Sequence, residues 1–257
     1  MFVFTKNEIA DVVGTLSSDR LNTSSQSHSV SATDVGRVRF KNEDSYLDDD
    51  NKQLWVVADG MGGHIRGDQA SQAVIKSLAD FDVEQPLADK LVDIEACLQQ
   101  AQVVCQNLYK KKVVGSTVVA LLIHGGYGFV VWAGDSRVYR IRDNECTQLT
   151  TDHTLAQQKY ERGQLTAEEV DDHSSSHVLT RAVGVHRSVE FEIAYIEVEK
   201  GDRFILCSDG LYSGVDTTDM ADLLKNSPID QALEVLMARA LEQCGRDNIT
   251  VIITEVV

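Results

Sequence analysis

An α+β fold is what this sequence predicts, a layered sandwich of mainly antiparallel strands flanked by helices. Three observations carry the prediction. Apolar runs of strand length come in consecutive blocks joined by short Gly- or Asp-containing turns, and two stretches of helical periodicity follow one another with no strand between them. No repeat and no Pro- or Gly-rich linker divides the 257 residues, so one large domain is expected.

The elements follow in order. Residues 1–29 end in the polar stretch TLSSDRLNTSSQSHS, which offers few apolar anchors and reads as a loosely ordered segment. Phe2, Val3, Phe4, Ile9, Val12 and Val13 leave a short docked segment as the alternative. The domain proper is expected over 30–257. Residues 54–58 (LWVVA) are a short apolar run bounded by turn residues and predict a buried strand. Ala70, Val74, Leu78 and Phe81 recur at helical spacing, as do Leu91, Ile94, Leu98, Ala101, Val104 and Leu108. Residues 117–123, 127–133 and 137–142 then read as an antiparallel meander. Residues 152–177 are polar and poor in large apolar side chains, which suggests an insertion or flap. Further strands are expected over 189–198, 203–207 and 249–256, and a helix over 229–244, opened by Pro228 and closed by Gly245.

Composition excludes some functions. A formal charge of −16 and a pI of about 4.7 oppose nucleic-acid binding, because phosphate backbones need basic stripes. The five cysteines are widely spaced with no CxxC pair, which suits buried thiols in a reducing compartment. The first residues lack a basic and apolar secretory pattern, and no run of about 18 apolar residues occurs. A cytoplasmic protein without membrane contact, monomeric in solution, is the expectation.

Three places repeat one design, an apolar strand running into an acidic residue beside Gly or Asn: Asp59-Gly60, Asp209-Gly210, and Asp247-Asn248 just before the strand at 249–256. A single Asp-Gly most often closes a hairpin. Three weaken that reading, since neither 60–64 nor 210–214 resumes strand alternation. A fourth element runs from Asp34 through Arg39 to Glu43 and Asp44. Carboxylates delivered from several strand ends can hold hard cations through oxygen, which suits Mg²⁺ or Mn²⁺ better than zinc. No His/Cys cluster competes.

The ordered blocks Asp-x-Gly-x-x-Arg-x-x-Asn-Glu-Asp at 34–44, Asp-Gly-Met-Gly-Gly-His at 59–64, Gly-Asp-Ser-Arg at 134–137, Ser-Asp-Gly-Leu at 208–211 and Gly-Arg-Asp-Asn-Ile-Thr at 245–250 resemble the PPM family of type 2C protein phosphatases, bacterial stand-alone type. The resemblance covers roughly residues 30–256 and implies a four-layer α-β-β-α sandwich, two mainly antiparallel sheets flanked by helices. It also implies a metal-dependent protein serine/threonine phosphatase that hydrolyses phosphoserine and phosphothreonine with water bridging two divalent ions, Mn²⁺ or Mg²⁺, and counters a serine/threonine kinase. Asp44, Asp59, Asp209 and Asp247 would hold the pair, with Asp59 bridging, the Gly60 carbonyl completing one shell and Glu43 acting through water. Arg39 would hold the substrate phosphate with its planar fork. Asp135 would ligate a weaker third ion, against the alternative of a hairpin acid. Some eukaryotic relatives use a histidine as general acid where this chain has Met61, so the proton donor is left open. His64 lies nearby, with a capping or packing role as the alternative; His153 reads more as structural than catalytic.

Competing readings fare worse. No cysteine has Arg six residues on, as thiol phosphatases require, and no Walker pattern occurs. A binding module that kept the sandwich and lost its chemistry would lack part of the ligand set, which is complete. A regulator-type phosphatase acting on a phosphorylated anti-sigma antagonist shares the fold but usually carries sensor domains. Phosphorylated proteins and a cognate kinase are therefore the expected partners.

Overall fold

The computed structural model describes residues 2–62, 66–109 and 113–257. The chain opens with β1 (Phe2–Phe4), α1 (Ile9–Thr15) and α2 (Ser18–Leu21), followed by β2 (Ser27–Asp34), β3 (Asp44–Asp49) and β4 (Leu54–Met61). Two helices come next, α3 (Gly67–Ala79) and α4 (Leu87–Leu108). Five strands follow, β5 (Gly115–Ser116), β6 (Val118–His124), β7 (Tyr127–Ala133), β8 (Arg137–Arg142) and β9 (Glu145–Gln148), and the expected meander breaks after β7, because β8 pairs with β9 and with residues 203–207 instead of with β7. After α5 (Leu155–Glu161) come β10 (Glu192–Glu197), β11 (Arg203–Cys207), α6 (Asp209–Tyr212), α7 (Thr217–Asn226), α8 (Ile229–Gln243) and β12 (Ile249–Val256).

These strands form two antiparallel sheets, one in the order β1-β10-β7-β6-β4-β3 with β5 beside β4, the other in the order β2-β12-β11-β8-β9. The period-2 alternation of side chains explains how both are sandwiched. In β4, Trp55 and Val57 face the other sheet, while Leu54, Val56 and Ala58 meet the helices. In β11, Phe204 and Leu206 enter the space between the sheets, while Ile205 and Cys207 turn outward to α7 and α8. Strands buried on both faces read as unbroken apolar runs, which is why residues 54–58 show no alternation. Ala70, Val74 and Leu78 of α3 and Leu91, Ile94 and Leu98 of α4 pack on the first sheet; Ala232, Leu233, Leu236 and Ala240 of α8 pack on the second. The result is the α-β-β-α layering.

Residues 2–29 depart from the expectation of a loose segment and follow the docked alternative. β1 pairs with β10, placing Phe2 opposite Tyr195 and Phe4 opposite Ile193. Phe4 is 3% exposed, and Ile9, Val12 and Leu16 are buried with it in the core under α4. Phe4, Ile9 and Val12 are the residues on which the docked alternative rested; Leu16 adds an anchor inside the Ser/Thr-rich stretch, and β2 begins within that stretch. The strand expected over 189–198 is shorter, Glu192–Glu197. The flap carries α5 and a 3₁₀ turn, Ala167–Glu169. No helix among the described residues is long and apolar enough to cross a membrane.

Candidate metal centre

The strand register brings the carboxylates together. β3 and β4 pair with Asp44 directly opposite Asp59, an arrangement that like charges disfavour unless something neutralises them. Asp209 begins α6 at the end of β11, and Asp247 precedes β12, so the neighbouring strand ends of the second sheet supply two more. Asp44 ties the sheets together: its Oδ2 accepts from Ser208 Oγ at 2.8 Å and from Thr250 Oγ1 at 2.7 Å. Among the described residues its Oδ1 is buried with no hydrogen-bond partner, and so is Asp209 Oδ1. Buried polar atoms are nearly always paired, so two carboxylate oxygens without a donor suit a cation.

The surrounding backbone is held tightly. Asp59 N donates to Thr117 Oγ1 and Thr117 N to Asp59 O, both at 2.9 Å, while Thr117 Oγ1 lies 2.7 Å from Ser136 Oγ beside Asp135. Glu43 donates its N–H to Asn248 Oδ1 at 2.8 Å, and its carboxylate accepts from Gly67 N at 3.1 Å at the start of α3, where a helix favours negative charge. Glu43 thus faces the centre from beside its neighbour Asp44. A Cβ on Gly60 would lie 2.1 Å from Gly67 O and 2.5 Å from Glu43 O, so only glycine fits after Asp59. Arg39 donates to Asp247 Oδ2 at 2.5 Å. The cleft, about 800 Å³, is lined by Arg39, Asp59, Asp135, Asp209 and Asp247 among others, with Met61 on its wall. His64 lies outside the described residues.

Electrostatics follow from this crowding. Burial pushes the Asp44 carboxyl up to about 7, against the lowering pull of its two hydroxyl donors. Burial first, and neighbouring carboxylates second, hold Asp59 and Asp135 well above the usual range and raise Asp209 to about 6. The Arg39 guanidinium is raised by its bond to Asp247. A cluster this short of positive charge favours protons or cations, and a bound cation inverts the local titration.

Several participants escaped the sequence reading. His177, at the end of the flap, places Nδ1 3.6 Å from Asp209 Oδ2, and Asp135, His177 and Asp209 offer ligand atoms within 4.8 Å of one another. Its only signal in the sequence is a polar histidine beyond Ser174, Ser175 and Ser176. Arg137 is buried under the Tyr212 ring, 3.6 Å from its centroid, and bonds both Asp152 and flap Asp171. Tyr212 in turn donates to the Asp135 carbonyl at 3.1 Å. His153 is buried away from the carboxylates: Nδ1 accepts from Gly134 N at 3.1 Å, Nε2 faces Glu192 Oε1 at 3.1 Å, and the ring stacks on Trp132. It braces the turn that carries Asp135.

The sequence profile of the family described as protein phosphatase 2C matches residues 37–250. The serine/threonine protein phosphatase PstP of Mycobacterium tuberculosis is 36% identical over 229 residues, covering 88% of this chain and 44% of that protein. This chain therefore spans less than half the length of that relative. The serine/threonine phosphatase stp of Listeria monocytogenes is 33% identical over 243 residues, with 89% and 95% covered. Among solved structures, the catalytic domain of PstP in complex with two manganese ions superposes with a TM-score of 0.81 at 33% identity, covering 91% of this chain and all of that one.

Proposed function

The chain belongs to the protein phosphatase 2C family, and on that premise we propose that it hydrolyses phosphoserine and phosphothreonine esters of proteins with the aid of two divalent cations, Mn²⁺ or Mg²⁺. The observation that carries this reading is the clustering of Asp59, Asp209 and Asp247 around the cleft, with Asp44 opposite Asp59, and of two buried carboxylate oxygens that have no partner among the described residues. The donor set fits such ions, being made of hard oxygen atoms. Asp44, Asp59, Asp209, Asp247 and the Gly60 carbonyl would hold the pair, with Glu43 acting from the α3 terminus. Asp135 and His177 would join Asp209 in holding a weaker third ion. Such cations supply Lewis acidity and lower the pKa of water toward neutrality.

The protein's own residues do the rest. Arg39 stands at the cleft wall with a planar fork that suits two phosphate oxygens, and Asp247 keeps it there. Ser208 and Thr250 aim Asp44, and Thr117 aims Asp59. Met61 has no proton to give, so the leaving hydroxyl must be protonated by a group other than the side chain following Asp59-Gly60. We read residues 30–257 as one phosphatase domain against which residues 2–29 pack. We also read the protein as a cytoplasmic monomer countering a serine/threonine kinase; its five free cysteines suit a reducing compartment.

Chelation followed by Mn²⁺ add-back on a phosphothreonine peptide tests the core of the reading. Turnover should vanish and return, and Asp59→Asn should remain folded yet inactive. Full turnover by metal-free protein, or phosphopeptide binding without any turnover, would reject it.

A further inference from the structure

The mouth of the cleft carries a local inversion of charge on a chain of formal charge −16. Between Val35 and Asn42 there are three cations, Arg37, Arg39 and Lys41, and no acid. Asn248 staples this loop at both ends, donating from Nδ2 to Val35 O at 2.9 Å and to Lys41 O at 3.0 Å. Gly36, at φ +77, has no room for a side chain, since a Cβ would lie 2.2 Å from Asp247 O; Arg37 N donates to Gly245 O at 2.7 Å. The loop is thus fixed against residues 245–248, and its tip projects outward. Val38 is 62% exposed and Phe40 101%. Arg39 and Lys41 have carboxylate partners, Asp247 and Asp68, whereas neither Arg37 nor Arg246 has one among the described residues. Arg246 also stands between the main cleft and a polar side cleft of about 380 Å³ that reaches the flap.

A phenyl ring held in water by a stapled backbone three residues after Arg37, whose backbone bonds Gly245 next to Arg246, with no counter-ion for either arginine among the described residues, is a surface suited to being covered. We propose that Arg37, Phe40 and Arg246 form the docking rim for the substrate segment flanking the phosphoresidue, and that this rim fits segments carrying acidic and apolar side chains. The proposal rests on the phosphatase reading above. Charge complementarity selects the occupant: the acidic remainder of this protein repels such segments, and the rim is where they are attracted.

The test uses the full chain with Mn²⁺ and two kinds of substrate, p-nitrophenyl phosphate, which has no flanks, and phosphothreonine peptides with Glu/Leu or Ala flanks. Arg37→Ser, outside the cleft lining, should leave kcat/KM on p-nitrophenyl phosphate unchanged. On the acidic peptide it should raise KM about twofold to fivefold near 0.05 M salt, and combined with Arg246→Ser about fivefold to tenfold, with lysine at both positions restoring most of it. That effect should fade near 0.5 M salt, where exposed charges are screened within about 4 Å. Phe40→Ser should weaken the Leu-flanked peptide at either salt concentration. Equal losses on all substrates, unchanged peptide kinetics, or a wild-type dimer that Phe40→Ser splits in ultracentrifugation would overturn the proposal. If wild type fails on p-nitrophenyl phosphate, the phosphatase reading falls separately, and the rim is still judged by peptide affinity in fluorescence anisotropy.

Discussion

Replacing Arg137 by methionine keeps the length of the buried stem and removes the charge that Asp152 depends on. Both side chains are 9% exposed. Arg137 donates from Nε at 3.0 and 3.1 Å and from Nη2 at 2.7 Å to the Asp152 carboxylate, from Nη1 to the Tyr139 hydroxyl at 3.1 Å, and from Nη2 to Asp171 at 2.8 Å. Without it, Asp152 keeps one bond, from Gln148 Nε2 at 3.3 Å. Breaking one side of a buried pair costs roughly 3 to 5 kcal/mol, equivalent in a domain of this size to roughly 6 to 20 °C in Tm. The deficit also has a pH signature. Burial already raises the Asp152 carboxyl and Arg137 opposes the shift, so Arg137→Met should raise it further. A carboxyl whose folded pKa lies above its unfolded one costs stability as pH rises, so the deficit should be greatest near pH 8 and shrink toward pH 4. Urea unfolding at both pH values is the assay, with Arg137→Met/Asp152→Leu as the companion variant. The double variant should recover most of the loss because no charge remains buried. A single-variant loss under about 1 kcal/mol, or a double variant as unstable as the single, would refute the reasoning.

Three further outcomes are expected. Metal-free protein should lose stability as pH rises from about 4 to about 7, because Asp44, raised to about 7, and Asp209, raised to about 6, bind more protons folded than unfolded; thermal melts in chelator would contradict this by showing the opposite slope, and saturating Mn²⁺ should abolish it. Asp135→Asn should keep its fold and two bound ions by calorimetry yet lose most phosphopeptide turnover at ordinary metal concentrations, whereas unchanged kcat and metal dependence would make Asp135 a turn residue only. Phe4→Ala should cost about 3 to 5 kcal/mol in chemical denaturation, as for a buried core ring, where a loose segment would register almost nothing.

The elements legible in the sequence are those whose neighbours do not matter. β7, β11 and β12 begin and end where the sequence reading sets them, because strands buried on both faces are largely apolar. β2 was not legible: its partner β12 lies far along the chain, and SHSVSATD has no face that advertises burial. That the candidate carboxylates lie together was legible because strand ends repeat one design at Asp59, Asp209 and Asp247. What surrounds them was not. The hydroxyls of Ser208, Thr250 and Thr117 become positioning groups only through register, and His177 reaches Asp209 only because the flap folds back.

The polarity of β2 carries a consequence for how the chain assembles. β2 pairs with β12, whose residues lie more than 200 positions further on, and pairings this distant form late. Throughout synthesis β2 waits as an unpaired edge, and a waiting strand rich in Val or Ile would recruit the edges of neighbouring nascent chains. Alternating serines, a histidine and an aspartate make it a poor template for that. The composition that disguises this strand as a tail thus protects the protein from aggregation until β12 arrives, and with it Asp247, Asn248 and Thr250. The second sheet and the carboxylate cluster are completed in the same step.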